Sequence, residues 1–274
     1  MHLDEVLRRD ELRGTTWSVR VRDAGTGAVV AEHEPSRRLR TASVAKVLLL
    51  LEVACRIEEG SLSPAALLSR ESAPWVADSG LWQHFSATKL SVADAATLVG
   101  AVSDNLATNV LLHEVGLTAV AERARALGIV DSVLHDVVRV ERTPDQPPTL
   151  SEGTAGEWCD AMLGLHARTL AAPAVCTRVL DWLSTCTDHS MVLGALHLDP
   201  LSHGVDPGAA LRAWSKTGTD DGVRADVGVM TDGAAGVAYA AICTWDPAGP
   251  VRIAAVLRAM RDIGAGCAAI LARG

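Results

Sequence analysis

The 274-residue sequence has no cluster of positive charge longer than a short stretch such as Arg37-Arg38-Leu39-Arg40, and its 33 acidic residues outnumber 25 basic ones, giving a formal net charge of -8. Phosphate backbones are bound by concentrated lysine and arginine, so no nucleic-acid partner is expected. Long apolar runs are also missing. The longest, residues 47–53, is broken by Glu52 and falls far short of the roughly 20 residues needed to cross a bilayer, so no membrane partner is expected either. Asp4, Glu5, Asp10 and Glu11 stand where a secretory leader would need uninterrupted apolar residues, and a cytoplasmic location is the corresponding expectation.

Cysteine is present without any CxxC pairing: Cys55, Cys159, Cys176, Cys186, Cys243 and Cys267 are scattered among apolar neighbours, which predicts buried free thiols. Even Cys267, in GAGCAA, has no adjacent His or Lys to lower its pKa. His189, His197 and His203 lack a ligand spacing such as HExxH, so no metal is predicted, and nothing calls for a cofactor. No internal repeat or low-complexity segment occurs.

What is present is a chain 49% hydrophobic and 21% charged, suited to one large globular unit or two interleaved lobes, with a monomer as the default. Residues 3–13 put Leu3, Val6, Leu7 and Leu12 on one face of an amphipathic helix. TWSVRVRD alternates Trp17, Val19 and Val21 with polar residues, and Gly25-Thr26-Gly27 then turns the chain into AVVAEHE, which predicts a hairpin. Residues 42–198 are mostly helical in period, with breaks at Gly60, Pro74, Gly80, Gly116, Gly128 and the proline-rich stretch 144–148. Strand patterns return in ALRAWSKTG, VRADVGVMT and GVAYAAICTW, with turns at Asp220-Asp221-Gly222 and Asp232-Gly233, and residues 253–271 close the chain as an alanine-rich helix that Gly264 and Gly266 locally weaken. The expected architecture is an α/β (α+β) fold. An antiparallel five-stranded sheet from residues 1–40 plus 205–274 is flanked by N- and C-terminal helices, and an all-helical lobe, residues 41–204, is inserted between its strands.

Three polar motifs interrupt this pattern. In TASVAKVLLLLEV, Ser43 and Lys46 lie three apart at the start of an apolar helix, a spacing that stacks hydroxyl and amine on one helical face. A serine hydroxyl is a poor nucleophile without a base in reach, and a desolvated lysine of lowered pKa can be that base. Taken alone, the pair also fits a cap serine followed by a solvated lysine. Ser103-Asp104-Asn105 sits between two apolar helical runs, as a helix cap or as a loop tip aimed into a cleft. Lys216-Thr217-Gly218, followed by Thr219, lies on a strand, where glycine marks either a bulge or a close backbone approach.

In this order and setting the three motifs resemble the set shared by class A β-lactamases and penicillin-binding proteins. Nearly the whole chain follows that fold's element order, Ser103 follows Ser43 by sixty positions, and Asn109 and Asp226 match further family positions. The resemblance implies a serine hydrolase that cleaves a lactam, amide or ester through a Ser43 acyl-enzyme. Lys46 would take the Ser43 proton directly or through water, the acting base being left open by the resemblance, Ser103 would return a proton to the leaving nitrogen, and Lys216 would hold Ser103 and a substrate carboxylate. It further implies an oxyanion hole from the backbone N–H groups of Ser43 and Thr219. The substrate would be held by Asn105, Thr217, Gly218 and Arg224, with Asp104 structural and Trp82 as an aromatic wall of the cleft. The implied partner is a small molecule, a β-lactam or another amide or ester carrying a carboxylate.

The sequence departs from that family in one respect that bears on chemistry. The Glu-x-x-Leu-Asn pattern that supplies the class A deacylating carboxylate is absent; Asp136, Glu141, Asp145 and Glu152 are the carboxylates of the corresponding stretch, with Glu141 nearest by spacing. Two alternatives therefore stand beside the hydrolase: an intracellular acyl-transferase or amidase whose acyl-enzyme is resolved by an amine, and a covalent penicillin-binding sensor without turnover.

Overall fold

The computed structural model describes residues 3–201 and 211–272. In chain order it contains α1 (Leu3–Leu7), β1 (Thr15–Asp23), β2 (Val29–His33), β3 (Leu39–Arg40), α2 (Lys46–Glu58), β4 (Leu67–Ser69), β5 (Lys89–Ser91), α3 (Val92–Val102), α4 (Asn105–Val115) and α5 (Leu117–Ala126). Then follow β6 (Val133–Leu134), β7 (Ser151–Gly153), α6 (Ala155–His166), α7 (Pro173–Leu183), β8 (Arg212–Asp220), β9 (Val223–Thr231), β10 (Gly236–Trp245) and α8 (Ile253–Leu271).

Strand order in the main sheet is β2-β1-β10-β9-β8, all antiparallel, so the two chain ends build one sheet as expected. Successive side chains of a strand point to opposite faces, and β10 uses this alternation to join two cores. Ala238, Ala240 and Ile242 pack with the helical lobe, while Val237, Tyr239, Ala241 and Cys243 pack with α1 and α8. The last strand, β8, is an edge, and the lobe stands beside it.

The lobe is threaded by α2, in which every residue from Lys46 to Cys55 is buried. A helix apolar all round belongs in the middle of a core. Its one buried acid, Glu52, is paired with Arg56 and Arg123 at 2.6 and 2.8 Å.

The first helix is shorter than its period predicts. The chain leaves α1 after Leu7, passes extended backbone at Arg9 and makes a single tight turn at Asp10–Leu12 that buries Leu12 under the sheet. The lobe also contains four strands of two or three residues, β4 to β7, and β3 precedes it, all too short to leave a period in the sequence. The C-terminal helix runs unbroken through Gly264 because that glycine is a contact: a Cβ there would lie 2.0 Å from the Val192 carbonyl oxygen. All six cysteines are buried and unpaired. His203 and the boundary placed at 204/205 lie outside the described residues, among which no cluster of His, Cys, Asp and Glu could hold a metal ion and no helix is long and apolar enough to cross a membrane.

Candidate active site

Ser43 sits in a tight turn, Ala42–Ala45, that runs directly into α2. Ala42, just before it, has φ 47°, a left-handed conformation that is strained for a residue with a Cβ. The strain persists because the turn is held on several sides. Thr41 and Ser151 share a buried hydroxyl bond of 2.7 Å, Ser151 donates to the Ala42 carbonyl at 2.6 Å, and β8 crosses behind it. That crossing explains Gly218. A Cβ at 218 would lie 2.2 Å from the Thr41 carbonyl oxygen and 3.1 Å from the Ser43 nitrogen. Gly218, expected to touch substrate, instead brings the edge strand against the backbone of the nucleophile, and it is not among the residues lining the cleft.

Ser103 ends α3 in a left-handed conformation, φ 57°, and Asp104 begins α4 as its cap, accepting from the Ala107 amide at 2.8 Å. The second Asp104 oxygen accepts from the amides of Leu81 and Trp82, at 2.7 and 2.8 Å, so the structural role expected of Asp104 is its observed one. The two helix ends make a sharp corner that turns Ser103 and Asn105 toward Lys46. The Lys46 ammonium donates to Ser103 O at 2.6 Å, Ser103 Oγ at 3.2 Å and Asn105 Oδ1 at 2.7 Å. From the other side, Lys216 donates to Ser103 Oγ at 2.9 Å and to Thr217 O at 2.8 Å.

Two lysines thus converge on one hydroxyl, and both are buried, at 0% and 1% exposure. Removal from water disfavours the ammonium, and the second positive charge adds to this at Lys46. Burial first, and Lys216 second, push the Lys46 pKa well below that of a free lysine. Burial brings Lys216 down to about 8, with Cys186, Asp188 and Asp226 resisting the fall. A lysine so depressed can be neutral and accept a proton near neutral pH.

The site opens onto two adjoining cavities, and Ser43 lines both. One, of about 290 Å³, is lined by Ser43, Ser103, Asn105, Lys216, Thr217 and Thr219 together with Asp78, Thr187 and Asp188. The other, of about 350 Å³, shares Ser43, Asp78, Asn105 and Thr219 and continues over Val138, Val140 and Arg142. Two larger hollows elsewhere, of about 390 and 410 Å³, contain none of the motif residues.

Three expected site residues stand elsewhere. Trp82 is fully buried, its indole N–H donating to Ala87 O at 3.0 Å, because the Asp104 cap draws its backbone into the lobe core; Val76, Asp78 and Ser79 form that wall of the cleft instead. Arg224 donates to the carbonyls of Asp220 and Val223, at 3.0 and 2.7 Å, and lies over the Trp245 ring, outside the cavity lining. Glu141 is exposed and does not line the cleft.

The segment that shares a cavity with Ser43 is fixed by Asn109, whose amide donates to Val138 O at 2.9 Å and accepts from Val138 N at 2.8 Å. The residue presented there is an apolar valine. Asp136, next along, is buried and engaged by Arg139 and Arg142, each at 2.7 Å. Burial alone would raise its pKa, but these partners hold it below the ordinary carboxylate range. Asp226 hydrogen-bonds Val192 N at 2.9 Å and Tyr239 at 3.1 Å under the sheet, and burial, with the charge of Asp188, raises its pKa to about 7. Sequence reasoning passed over Asp78, Asp188 and Val138 because none belongs to a motif; only the fold brings them to the cleft.

The sequence profile of the beta-lactamase enzyme family matches residues 2–269. No curated protein matches in sequence. Among solved structures, a β-lactamase from Sphaerobacter thermophilus is similar at 27% identity and a TM-score of 0.83, over 99% of this chain and 96% of that one. A variant of the last common ancestor of the class A β-lactamases of Gram-negative bacteria shares 20% identity with a TM-score of 0.79, over 99% and 97% of the two chains. A mutant of PBP-A, in an acyl-enzyme complex with penicillin G, shares 16% identity with a TM-score of 0.75, over 96% and 93%; likeness at these last two identities is one of fold. With a profile match over nearly its whole length and the fold to go with it, this chain belongs to the beta-lactamase enzyme family.

Proposed function

We propose that the protein is a serine hydrolase that opens a lactam, amide or ester through an acyl-enzyme at Ser43. The observation that carries this reading is the meeting of two buried lysines on Ser103 Oγ beside Ser43. Neutral Lys46 takes the Ser43 proton as Oγ adds to the carbonyl carbon. The charge that develops on the carbonyl oxygen is met by the backbone N–H groups of Ser43 and Thr219. The bond to the leaving nitrogen or oxygen then breaks, and Ser103 gives that atom its hydroxyl proton while recovering one from Lys46, 3.2 Å away. The Ser43 proton therefore ends on the leaving group, and Lys46 is neutral again. Asn105 and Thr217 orient the substrate.

Release of the acyl group has less support from the side chains. Val138 lines the cavity that Ser43 lines, Asp136 is engaged by two arginines, and Glu141 is exposed. This favours a second reading, in which the acyl-enzyme is long-lived or is resolved by an amine acceptor. Intact-mass spectrometry with a chromogenic cephalosporin and a p-nitrophenyl ester separates the cases: turnover without adduct marks the hydrolase, and a persistent adduct that an added amine discharges marks the transferase. Absence of any Ser43 adduct with either reagent, without turnover, contradicts both.

A further inference from the structure

Asp188 lies at the end of the cleft where Lys216 and Thr217 would receive a substrate carboxylate, and it is itself a carboxylate. It is held there firmly. Ser190 donates to it from its amide at 3.1 Å and its hydroxyl at 2.6 Å. Burial by itself would raise the Asp188 pKa, but these hydrogen bonds and the charge of Lys216 hold it below the ordinary range, so it is ionised at neutral pH.

Thr217, which would meet that carboxylate, lines the same cavity as Asp188. Lys216 directs two of its hydrogen bonds to Ser103 and to the Thr217 carbonyl, and its charge faces Asp188 and Asp226. Arg224 is turned onto backbone carbonyls and Trp245, and Arg139 and Arg142, which line the adjoining cavity, are paired with Asp136. The cations around the cleft therefore each have partners within the protein. Across the cleft, Asp78 lines both cavities and Asp220 lines one, so an anion entering the site meets acidic groups on more than one side.

We infer that Asp188 sets the charge of the substrate: the site takes an acyl donor that is uncharged or cationic on its leaving-group side, in place of one with a carboxylate beside the scissile bond. Like charges held close in a partly desolvated cleft repel strongly, whereas a neutral or cationic group is accepted by the same carboxylate. This inference rests on the Ser43 acyl-enzyme reading and narrows the substrate class of that site.

The test compares benzylpenicillin with its methyl ester, which differ by that one charge. Second-order rates of Ser43 acylation are read by intact mass in the native protein and in Asp188→Asn and Asp188→Ser, each checked for native circular dichroism. The native protein is expected to react at least tenfold faster with the ester. Both variants should raise the acid-to-ester rate ratio by tenfold or more. Added salt should raise that ratio in the native protein and leave it flat in the variants, a response that loss of packing alone does not produce. Equal rates for acid and ester in the native protein, or an unchanged ratio in folded variants while Ser43 is still acylated, overturns the inference alone. If Ser43 is acylated by neither compound, nor by p-nitrophenyl acetate, the inference and the acyl-enzyme reading fall together.

Discussion

At the scale of single residues the site depends on groups placed where they are uncomfortable. Ala42 and Ser103 occupy left-handed backbone, and Lys46 and Lys216 are amine side chains held out of water. Replacing Ser43 by Ala should abolish acylation with the fold intact, seen as loss of the mass adduct beside an unchanged thermal melt. Gly218→Ala should lower the acylation rate by roughly 100-fold or more, on the scale of losing one oxyanion donor, because its Cβ must displace the Thr41 to Ser43 backbone; a rate within threefold of native contradicts the close approach. The pKa of Lys216, lowered to about 8, gives a sign for pH dependence. Its charged form predominates below about 8, so the acylation rate should fall as pH rises through that value, and a profile level to pH 10 speaks against a need for its charge. Asp226 acts in the other direction, on stability. Its folded pKa is raised to about 7 from 3.8, so its contribution is fully present below about 3.8 and is lost as pH rises through 7. Asp226→Asn should flatten that part of the pH dependence of the urea midpoint.

At the scale of elements, the sequence was most legible where apolar alternation is long. The three returning strands, their turns at Gly222 and Gly233 and the final helix fall where the periods put them, and the Ser43, Lys46, Ser103 and Lys216 motifs converge in one cleft. The first helix was overread because its apolar face continues to Leu12 while its backbone does not. Trp82 was misplaced because an aromatic residue in a loosely patterned segment reads alike on a cleft wall and in a core, and the Asp104 cap that decides the matter is a tertiary contact. Gly264 appeared a weakness of the last helix and is a contact point. Gly264→Ala should cost about 1–3 kcal/mol as an overpacking change and lower the melting temperature accordingly in calorimetry. On the loop pinned by Asn109, Val138→Glu puts a carboxylate on the cavity that Ser43 lines and should shorten the lifetime of the acyl-enzyme at least tenfold by mass spectrometry; an unchanged lifetime means that the loop does not aim its side chain at the ester.

At the scale of the whole molecule, the sheet lobe and the helical lobe share one apolar cluster. Ala225, Val227, Val229, Ala238, Ala240 and Ile242 of the sheet pack with α2, α3, α4 and α6. Unfolding is therefore expected as a single cooperative step, with near- and far-ultraviolet circular dichroism giving the same urea midpoint; two separated transitions would show lobes that fold independently. The burial of the two site lysines has a consequence for handling the protein. Lys46, Lys89 and Lys216 are the chain's lysines, and Lys89 is exposed while the other two are buried, Lys46 fully and Lys216 at the wall of the cleft. Among its lysines the folded protein should thus take an amine-selective reagent at Lys89 alone, and the appearance of label at 46 or 216 becomes a direct chemical readout of the site coming open.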